Sequence, residues 1–393
     1  MNSTSIQTEA YIALSPSDPI TLSPVTYPTP IRPDEILLAT SAVSICATDL
    51  KATAGKFLTV PPLILGHEAA GTILQVGSAV SSLRPGDKVI LSYASCHECR
   101  ECQSGGNAYC ERIWELNFSG GREGDGGVGA ATILRDGEEV RVKTHFFGQS
   151  SMGRLVIARA VCAVKVDGNT TEEEMRMFAS LGCGIQTGAG VIMNVARPES
   201  GRRILVFGAG AVGLAACLAA ALTEPEVLVL VDNSGTKLGV LPGCVRGVVA
   251  EMVNSEGVEE GVLVERLKGL TADGLGFDVA VDCVGRGDVV RVAHLALRAR
   301  GMVVTVGGSK DVALQVTLSE HLGRGITYRG THQGDSVPSQ MIPHLIGLWR
   351  QGKFPFDKLL TFFEFDELHQ AVQGVKEGKV IKPVLINRNI PSS

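Results

Sequence analysis

The feature that most constrains the fold of this chain is a glycine-rich turn between an apolar strand and an apolar helix. Residues 204–213, ILVFGAGAVG, place G-x-G-x-x-G at that junction, and Asp232 ends the next apolar run. Gly208 would allow the tight turn, Gly210 would let the backbone approach a pyrophosphate, and Gly213 would let the helix pack closely on the strand. The helix N-terminus would then bind the phosphates. The pattern predicts a dinucleotide-binding site; the alternative is a glycine turn in an α/β domain that binds nothing.

Asp232 also predicts which dinucleotide is bound. A carboxylate at the end of the second strand accepts hydrogen bonds from both hydroxyls of the adenosine ribose, and it would repel a 2′-phosphate. The sequence therefore predicts NAD rather than NADP.

The chain around the turn alternates between apolar strands and helices. The predicted strands are 203–207, 227–231, 277–281 and 302–306. Such alternation predicts an α/β fold with a doubly wound parallel sheet, the Rossmann arrangement.

The first third of the chain has a different pattern. Short apolar segments at 35–39, 71–76 and 88–91 are separated by Pro and Gly, with a turn at 84–87. They predict a compact, mostly-β lobe. Residues 112–139 are rich in Gly and polar side chains, and we expect a long loop with a hairpin there.

Four of the ten cysteines lie close together, at Cys96, Cys99, Cys102 and Cys110. This spacing is typical of a closed tetrahedral zinc site that stabilises a fold and does no chemistry. The alternative is a group of unrelated buried thiols. Four further cysteines have mostly apolar neighbours and are predicted to be core thiols: Cys162, Cys217, Cys244 and Cys283.

A second possible metal set is dispersed along the chain, at Cys46, His67 and Cys183. Two cysteines and one histidine leave a fourth tetrahedral position open, as a catalytic zinc requires. Taken singly, each residue is more often a core thiol or a hydrogen-bonded histidine.

The bulk properties limit the number of domains and the kinds of partner. A chain of 393 residues, 45% apolar and 20% charged, is long enough for two domains with sizeable cores. Its formal net charge of −5 gives no sign of nucleic-acid binding. The N-terminus does not resemble a targeting signal, and the longest apolar run, 212–222, is too short to span a membrane. We expect a cytoplasmic protein with neither a membrane nor a nucleic-acid partner.

Together these motifs make the chain similar to the zinc-containing medium-chain alcohol dehydrogenases. Besides the glycine turn and the four cysteines, the matching segments are CATD at 46–49, GHEAAG at 66–71, LGCGIQTG at 181–188 and GKVIKPV at 378–384. A closer resemblance to aryl- or benzyl-alcohol dehydrogenases rests on FFGQSS at 146–151, CGIQTGAG at 183–190 and RQGKFPFDKL at 350–359.

The resemblance implies a GroES-like catalytic domain, formed by 1–183 and 331–393, and a Rossmann domain at 184–330. It implies that Cys46, His67 and Cys183 hold the catalytic zinc. Thr48 would hydrogen-bond the substrate oxygen and accept its proton, and Asp49 would orient His67. Glu68 would lie beside the metal and tune its coordination.

The resemblance also implies a set of cofactor contacts, with Lys382 near the pyrophosphate and Thr187 near the nicotinamide. The expected cofactor-binding residues are Thr187, Gly208, Gly210, Val212, Gly213, Asp232, Lys237 and Lys382. Two positions depart from the family. Lys51 stands where relatives often have a histidine, so the proton relay would end at Lys51 or bypass it through water. Residues 238–256 contain Pro242 and several glycines where the family usually has a regular helix, which predicts an irregular segment.

Four aromatic residues are candidates for the substrate pocket. Phe146 and Phe147 match family pocket positions, while Trp114 and Phe118 come from a loop that would reach the same place; the alternative is that all four only fill the core. The sequence predicts a dehydrogenase with two zinc ions per chain that transfers hydride between NAD and a primary aryl or allylic alcohol/aldehyde pair, as a homodimer or homotetramer. The alternatives are a reductase of an aldehyde or conjugated intermediate and a non-catalytic protein with this fold.

Overall fold

A computed structural model of the chain describes residues 5–16, 18–122, 125, 129–308, 312–314 and 317–388. Within these residues the strands form three sheets. The strands are β1 Ser5–Ala13, β2 Thr21–Pro28, β3 Glu35–Ser44, β4 Leu63–Ile64, β5 Ala69–Val76, β6 Lys88–Leu91, β7 Ala131–Arg135, β8 Glu138–Val142, β9 Leu155–Arg159, β10 Ala163–Lys165, β11 Arg203–Phe207, β12 Val227–Asp232, β13 Glu251–Asn254, β14 Phe277–Asp282, β15 Leu297–Thr305, β16 Thr327–Gly330, β17 Leu360–Glu364 and β18 Lys382–Ile386.

The α-helices are short, and six of them, α6 to α11, connect strands of the parallel sheet. Their bounds are α1 Ala47–Thr53, α2 Arg100–Gln103, α3 Ile113–Phe118, α4 Glu172–Phe178, α5 Gly184–Gly190, α6 Ala211–Ala221, α7 Gly235–Gly239, α8 Gly243–Arg246, α9 Glu260–Lys268, α10 Gly287–Ala296, α11 Leu318–Arg324, α12 Pro338–Arg350 and α13 Leu368–Lys376. Helix α5 continues into a π-helical turn, Val191–Ala196.

The parallel sheet has the strand order β13-β12-β11-β14-β15-β16, and every neighbouring pair is parallel. Strand β11 is buried on both faces. Ile204 and Val206 pack in the cluster that contains α6, whereas Leu205 and Phe207 pack with α9 and α10. Helices therefore cover both faces of the sheet, and the predicted α/β, doubly wound class is confirmed.

The other two sheets contain the first part of the chain. One has the order β4-β1-β2-β7-β8; the other has β10-β6-β5-β3-β18-β17, with β9 also on β3. All ten residues of β3 are buried, because β5, β9 and β18 pair with it. Strand β18 lies near the C-terminus, so the last segment of the chain returns to pack beside the strand that leads to Cys46.

Several predicted segments agree with the structure, whereas the predicted strand at 35–39 continues to Ser44 and the predicted loop at 112–139 contains a helix. The strands at 88–91 and 203–207 have the predicted bounds, and the irregular segment holds two short helices, α7 and α8, on either side of Pro242. The expectation that 112–139 is a loop with a hairpin is only partly right, because helix α3 precedes the hairpin β7–β8. Residues 123, 124 and 126–128 of that stretch lie outside the described residues.

Helix α3 depends on a contact that is distant in sequence. The Asn117 side chain accepts a hydrogen bond from the Ala94 N–H (2.8 Å) and donates one to the Ala94 carbonyl (2.9 Å). Asn117 is completely buried. This tertiary contact stabilises a helix of only six residues that its composition does not predict.

No single helix of the described chain is long and apolar enough to cross a membrane. One bent pair, Glu172–Gly182 with Gly184–Ala196, has the length and composition but turns by 62° between its parts.

Candidate functional site

The dispersed residues Cys46, His67 and Cys183 converge on one point. Cys46 follows β3 and precedes α1, His67 precedes β5, and Cys183 precedes α5. The ligand atoms of these three residues and of Glu68 all lie within 4.8 Å of one another. Three different elements therefore bring a thiol, an imidazole, a second thiol and a carboxylate together.

Asp49 holds His67 in a defined orientation. Its Oδ1 lies 3.0 Å from His67 Nδ1 and accepts the Gly66 N–H, while its Oδ2 accepts the Cys46 N–H. Asp49 and His67 are each 1% exposed. With Nδ1–H donated to Asp49, the lone pair is on Nε2, which is buried and has no hydrogen-bond partner in the described structure.

This donor set fits a zinc ion. A buried imidazole nitrogen without a partner is costly unless something occupies its lone pair. A hydrogen bond with Cys183 lowers the pKa of Cys46 well below its ordinary value, although burial opposes this. Two thiols and one imidazole, with a carboxylate behind them, are the ligand types that zinc prefers in catalytic sites.

Glu68 and Lys382 form a buried ion pair beside this cluster. Lys382 Nζ lies 2.7 Å from Glu68 Oε2 and donates to the Ile45 carbonyl, and the Gly184 N–H donates to Glu68 Oε1. Burial raises the pKa of Glu68, although the Lys382 charge opposes this. The sequence predicts that the Lys382 ammonium group lies near a pyrophosphate. In the structure this group is paired with Glu68, and Lys382 also lines a cleft next to the cluster.

The four clustered cysteines also meet. Their sulfur atoms lie within 4.8 Å of one another, with 3.9 Å between Cys96 and Cys102 and 4.0 Å between Cys99 and Cys110. Backbone N–H groups of Cys102 and Glu111 lower the pKa of Cys99 to about 6. Such a set of sulfurs fits a closed metal site, since it leaves no ligand position free.

The glycine turn has the geometry that its sequence predicts. Gly208 has φ +102, and a Cβ on Gly213 would lie 1.8 Å from the Gly208 carbonyl oxygen. Asp232 accepts the Ala209 N–H at 2.7 Å, and Lys237 Nζ lies 3.9 Å from the same carboxylate. The acidic residue at the end of β12 therefore stands directly against the turn.

A cleft of about 250 Å³ joins the glycine turn to the dispersed cluster. Cys46 and Lys382 line it together with Gly210, Val212 and Lys237. A ligand bound along α6 would therefore reach the cluster. Thr187 does not line this cleft: it is 6% exposed, and its hydroxyl donates to Gln333 Oε1 at 3.2 Å.

Aromatic rings cover one side of the dispersed cluster. Phe147 is stacked on His67 with 4.5 Å between ring centroids, and Phe146 meets His67 edge-on at 5.6 Å. Phe118 contacts Phe147 at 5.2 Å. Trp114 contacts Phe118 but is 60% exposed, so it stands at the rim.

Two further rings belong to this group and were not predicted from the sequence. Phe57 contacts Phe118, Phe146 and Phe147, and His332 lies 6.5 Å from Phe118. Phe57 follows α1, the helix that contains Thr48 and Asp49, so its nearness in sequence was a usable signal. His332 had none, because it lies on a segment far along the chain.

Phe147 has an unusual backbone conformation. Its φ is +53, which is rare for a bulky residue and costs conformational energy. The Gly148 N–H bonds to the His145 carbonyl and the Ser150 N–H to the Phe146 carbonyl, so the turn is fixed on both sides. This conformation places the ring over His67.

Thr48 and Lys51 both lie on α1. Thr48 Oγ1 is 3.7 Å from Cys46 Sγ, beside the dispersed cluster. Lys51 is exposed, and its ammonium group donates to the Gly308 carbonyl at 3.3 Å. The Lys51 side chain thus connects α1 with the loop after β15.

Comparison with known proteins gives matches along the chain. The family model described as alcohol dehydrogenase GroES-like domain matches residues 32–144, and the one described as zinc-binding dehydrogenase matches residues 211–349. Geraniol dehydrogenase of Castellaniella defragrans is 35% identical over 97% of this chain and 98% of its own length. The crystal structure of benzyl alcohol dehydrogenase from Acinetobacter calcoaceticus is 31% identical, with a TM-score of 0.87 over 97% and 99% of the two chains. An alcohol dehydrogenase zinc-binding domain protein from Burkholderia ambifaria is 33% identical, also with a TM-score of 0.87, over 99% and 100%.

Proposed function

Because this chain belongs to the zinc-containing medium-chain alcohol dehydrogenase family, an oxidoreductase family acting on alcohols, we propose that it transfers hydride between NAD and a primary aryl or allylic alcohol/aldehyde pair. The proposal includes two zinc ions per chain. One would be held by Cys46, His67 and Cys183, and the other by the four clustered cysteines.

The observation on which the proposal rests is the convergence of Cys46, Cys183 and the buried Nε2 of His67 beside a cleft that Cys46 itself lines. Asp49 fixes the His67 ring, and the glycine turn lines the same cleft. A metal-type donor set and a dinucleotide-type turn that open into one space support hydride transfer between an alcohol and a nicotinamide.

Zinc bound at this donor set would act as a Lewis acid and make the alcohol proton more acidic. Thr48 stands beside Cys46, where its hydroxyl can hydrogen-bond the substrate oxygen and accept the proton that this oxygen loses. Asp49 keeps His67 in the required orientation. With NAD bound in the cleft, the carbinol carbon would give its hydride to the nicotinamide, so that the alcohol would become an aldehyde and NAD would become NADH.

The aromatic side chains support the choice of substrate class. Phe147 stacks on His67, Phe118 meets Phe147 edge-on and Phe57 stacks on Phe147, so these rings form an apolar wall next to His67. Flat rings and conjugated chains gain buried area and edge or face contacts against such a wall. Two of the matched relatives are named for geraniol and for benzyl alcohol, which agrees with this choice.

The domain division at 183/184 and 330/331, a homodimeric or homotetrameric assembly and a cytoplasmic location complete the proposal. Limited proteolysis and size-exclusion chromatography with light scattering test the first two.

An absorbance assay at the NADH band tests the activity. With NAD, the specificity constant should be highest for benzyl alcohol, lower for geraniol and lowest for ethanol. The aldehydes should be reduced with NADH. Faster turnover of the aldehydes at neutral pH would favour the reductase alternative, since hydride transfer is reversible. If the protein contains two zinc ions but converts none of these alcohols or aldehydes, the non-catalytic alternative is favoured.

A further inference from the structure

The segment 331–336 has an unusual backbone. Gln333, Gly334 and Asp335 follow one another with φ values of +56, +62 and +49. A non-glycine residue in this region costs energy, so such a run persists only where neighbouring groups hold it.

On one side, the lobe with the four cysteines holds the segment. The Tyr109 hydroxyl donates to Asp335 Oδ1 at 2.6 Å, and the His332 N–H donates to the Tyr109 oxygen at 3.3 Å. His332 Nδ1 lies 3.0 Å from the Ala108 carbonyl. Tyr109 directly precedes Cys110, so the position of this hydroxyl depends on the cysteine lobe.

On the other side, the segment presses on α5. Gln333 accepts the Thr187 hydroxyl, and Asn194 donates to the Gly334 carbonyl at 3.0 Å. A Cβ on Gly334 would lie 2.4 Å from the Thr187 carbonyl oxygen, so no space separates the two. A shift of the segment would therefore move Thr187.

Helix α5 packs equally closely on the helix of the glycine turn. A Cβ on Gly188 would lie 2.1 Å from the Val212 carbonyl oxygen. The contacts of Tyr109 with Asp335, of Gln333 with Thr187 and of Gly188 with Val212 thus lead from the cysteine lobe through α5 to α6, whose Val212 lines the cleft.

We infer that Tyr109 is a positioning residue for cofactor binding, acting through Asp335 on the segment 331–336 and so on Thr187. The inference rests on the proposed function of the cleft. A lobe that takes no part in the chemistry would in this way set the affinity for the dinucleotide.

Tyr109→Phe tests this by removing one hydroxyl from a side chain that is 41% exposed. Fluorescence titration should show the dissociation constant for NADH rising about three- to tenfold, the effect expected when part of a charged hydrogen bond is coupled to binding. Amide hydrogen exchange should become faster in 331–336. The kcat at saturating substrate and cofactor should change less than about twofold, and the zinc content and the thermal midpoint should not change.

Tyr328→Phe is a matched control. Tyr328 is 40% exposed, and its hydroxyl has no hydrogen-bond partner among the described residues. This variant should bind NADH as the wild type does. If Tyr109→Phe binds NADH equally well, or if it loses zinc before its affinity changes, the inference is wrong.

Asp335→Asn provides an independent arm. It keeps the shape of the side chain but removes the negative charge of the carboxylate, which accepts hydrogen bonds from Tyr109, Thr331 and Arg329. Both variants break the same hydrogen bond between Tyr109 and Asp335. The loss of NADH affinity in the double variant should therefore be smaller than the sum of the losses in the two single variants. Additive losses would overturn the inference. If the wild type binds no NADH, the proposed function fails, and the hydrogen-exchange comparison still decides whether Tyr109 holds the segment.

Discussion

Asp232 has a structural contact as well as a proposed binding role. One carboxylate oxygen accepts the Ala209 N–H and the other accepts the Ser234 N–H. Each oxygen has a second lone pair, so the same carboxylate can receive ribose hydroxyls. Replacement by alanine would remove both functions, which makes asparagine the more informative substitution.

We expect Asp232→Asn to lower the preference for NAD over NADP by at least about tenfold. The substitution keeps an acceptor for Ala209 but removes the negative charge that would repel the 2′-phosphate, and a factor of ten corresponds to about 1.4 kcal/mol. Steady-state kinetics with each cofactor measures the ratio. Asp136→Asn, at a side chain that is 95% exposed, should leave it unchanged. A wild-type preference for NADP would contradict the assignment of Asp232.

Phe147 is the aromatic residue nearest to His67. We expect Phe147→Ala to reduce the selectivity for benzyl alcohol over ethanol by roughly 1–2 kcal/mol, because truncation removes aromatic surface that only the larger substrate would contact. Specificity constants for the two alcohols measure this change. Phe362→Ala, at a phenylalanine that is 43% exposed, is the control. Unchanged selectivity in Phe147→Ala would mean that the ring only fills the core.

Single residues also show where sequence reasoning stopped. The cysteine set was predictable because its spacing is local, and the glycine turn because strand, turn, helix and acid follow one another. His332 joins the aromatic group through a contact between distant segments, which no local pattern records. The pairing of Lys382 with Glu68 has the same cause, since 314 positions separate the two residues.

Among the elements, β3 connects the segments that contain Phe118 and Phe146 to the sheet. Its first residue, Glu35, is 1% exposed; Arg122 Nε lies 2.7 Å from its carboxylate and His145 Nε2 lies 3.3 Å from it. Arg122 follows α3, and His145 directly precedes Phe146. Burial acts to raise the pKa of Glu35, but His145, the Arg32 N–H and Arg122 together lower it to about 2.

We expect Glu35→Gln to lower the free energy of unfolding at pH 7 by about 3 kcal/mol, because it leaves Arg122 buried without its counter-charge. A depressed carboxyl pKa stabilises the fold above the unfolded value of 4.5 and ceases to do so as the pH falls towards about 2. The difference in free energy of unfolding between the wild type and Glu35→Gln should therefore become smaller as the pH falls below 4.5. Urea unfolding at several pH values measures it.

Glu9→Gln is the matched control for this prediction. Glu9 pairs with Arg154 at the surface and is 49% exposed, so its loss should change the free energy of unfolding by less than about 1 kcal/mol. A similar loss in both variants, or a gap that stays constant from pH 7 to pH 3, would contradict the role given to Glu35.

Elements were predictable where their own residues determine them. Strands β6 and β11 are apolar runs that end in turn residues, and their bounds agree with prediction. Helix α3 was not predicted because it is stabilised by hydrogen bonds between its own Asn117 and the backbone of Ala94, which lies outside the helix. Strand β3 extends to Ser44 rather than ending at residue 39, because β5 and β18 pair with its second half.

At the scale of the whole molecule, the two metal-type clusters stand in different relations to the rest of the chain. The dispersed cluster borders the cleft, whereas the four cysteines lie in a lobe that contacts the segment 331–336 through Tyr109. A three-ligand set keeps one position open to an attacking chelator, and a four-thiolate set keeps none. The two sites should therefore lose zinc at different rates and with different consequences.

We expect a chelator at neutral pH to remove about one zinc first, with activity lost but circular dichroism and NADH binding retained, because Asp232 and the glycine turn do not depend on Cys46, His67 or Cys183. Removal of the second zinc should damage folding and weaken NADH binding together. On the same samples, metal analysis measures the zinc content, circular dichroism measures the secondary structure, and titration measures the affinity for NADH. Cys183→Ala should reproduce the first state and Cys99→Ala the second. Equal damage to the fold in both variants, or loss of NADH binding with the first zinc, would contradict this division of roles.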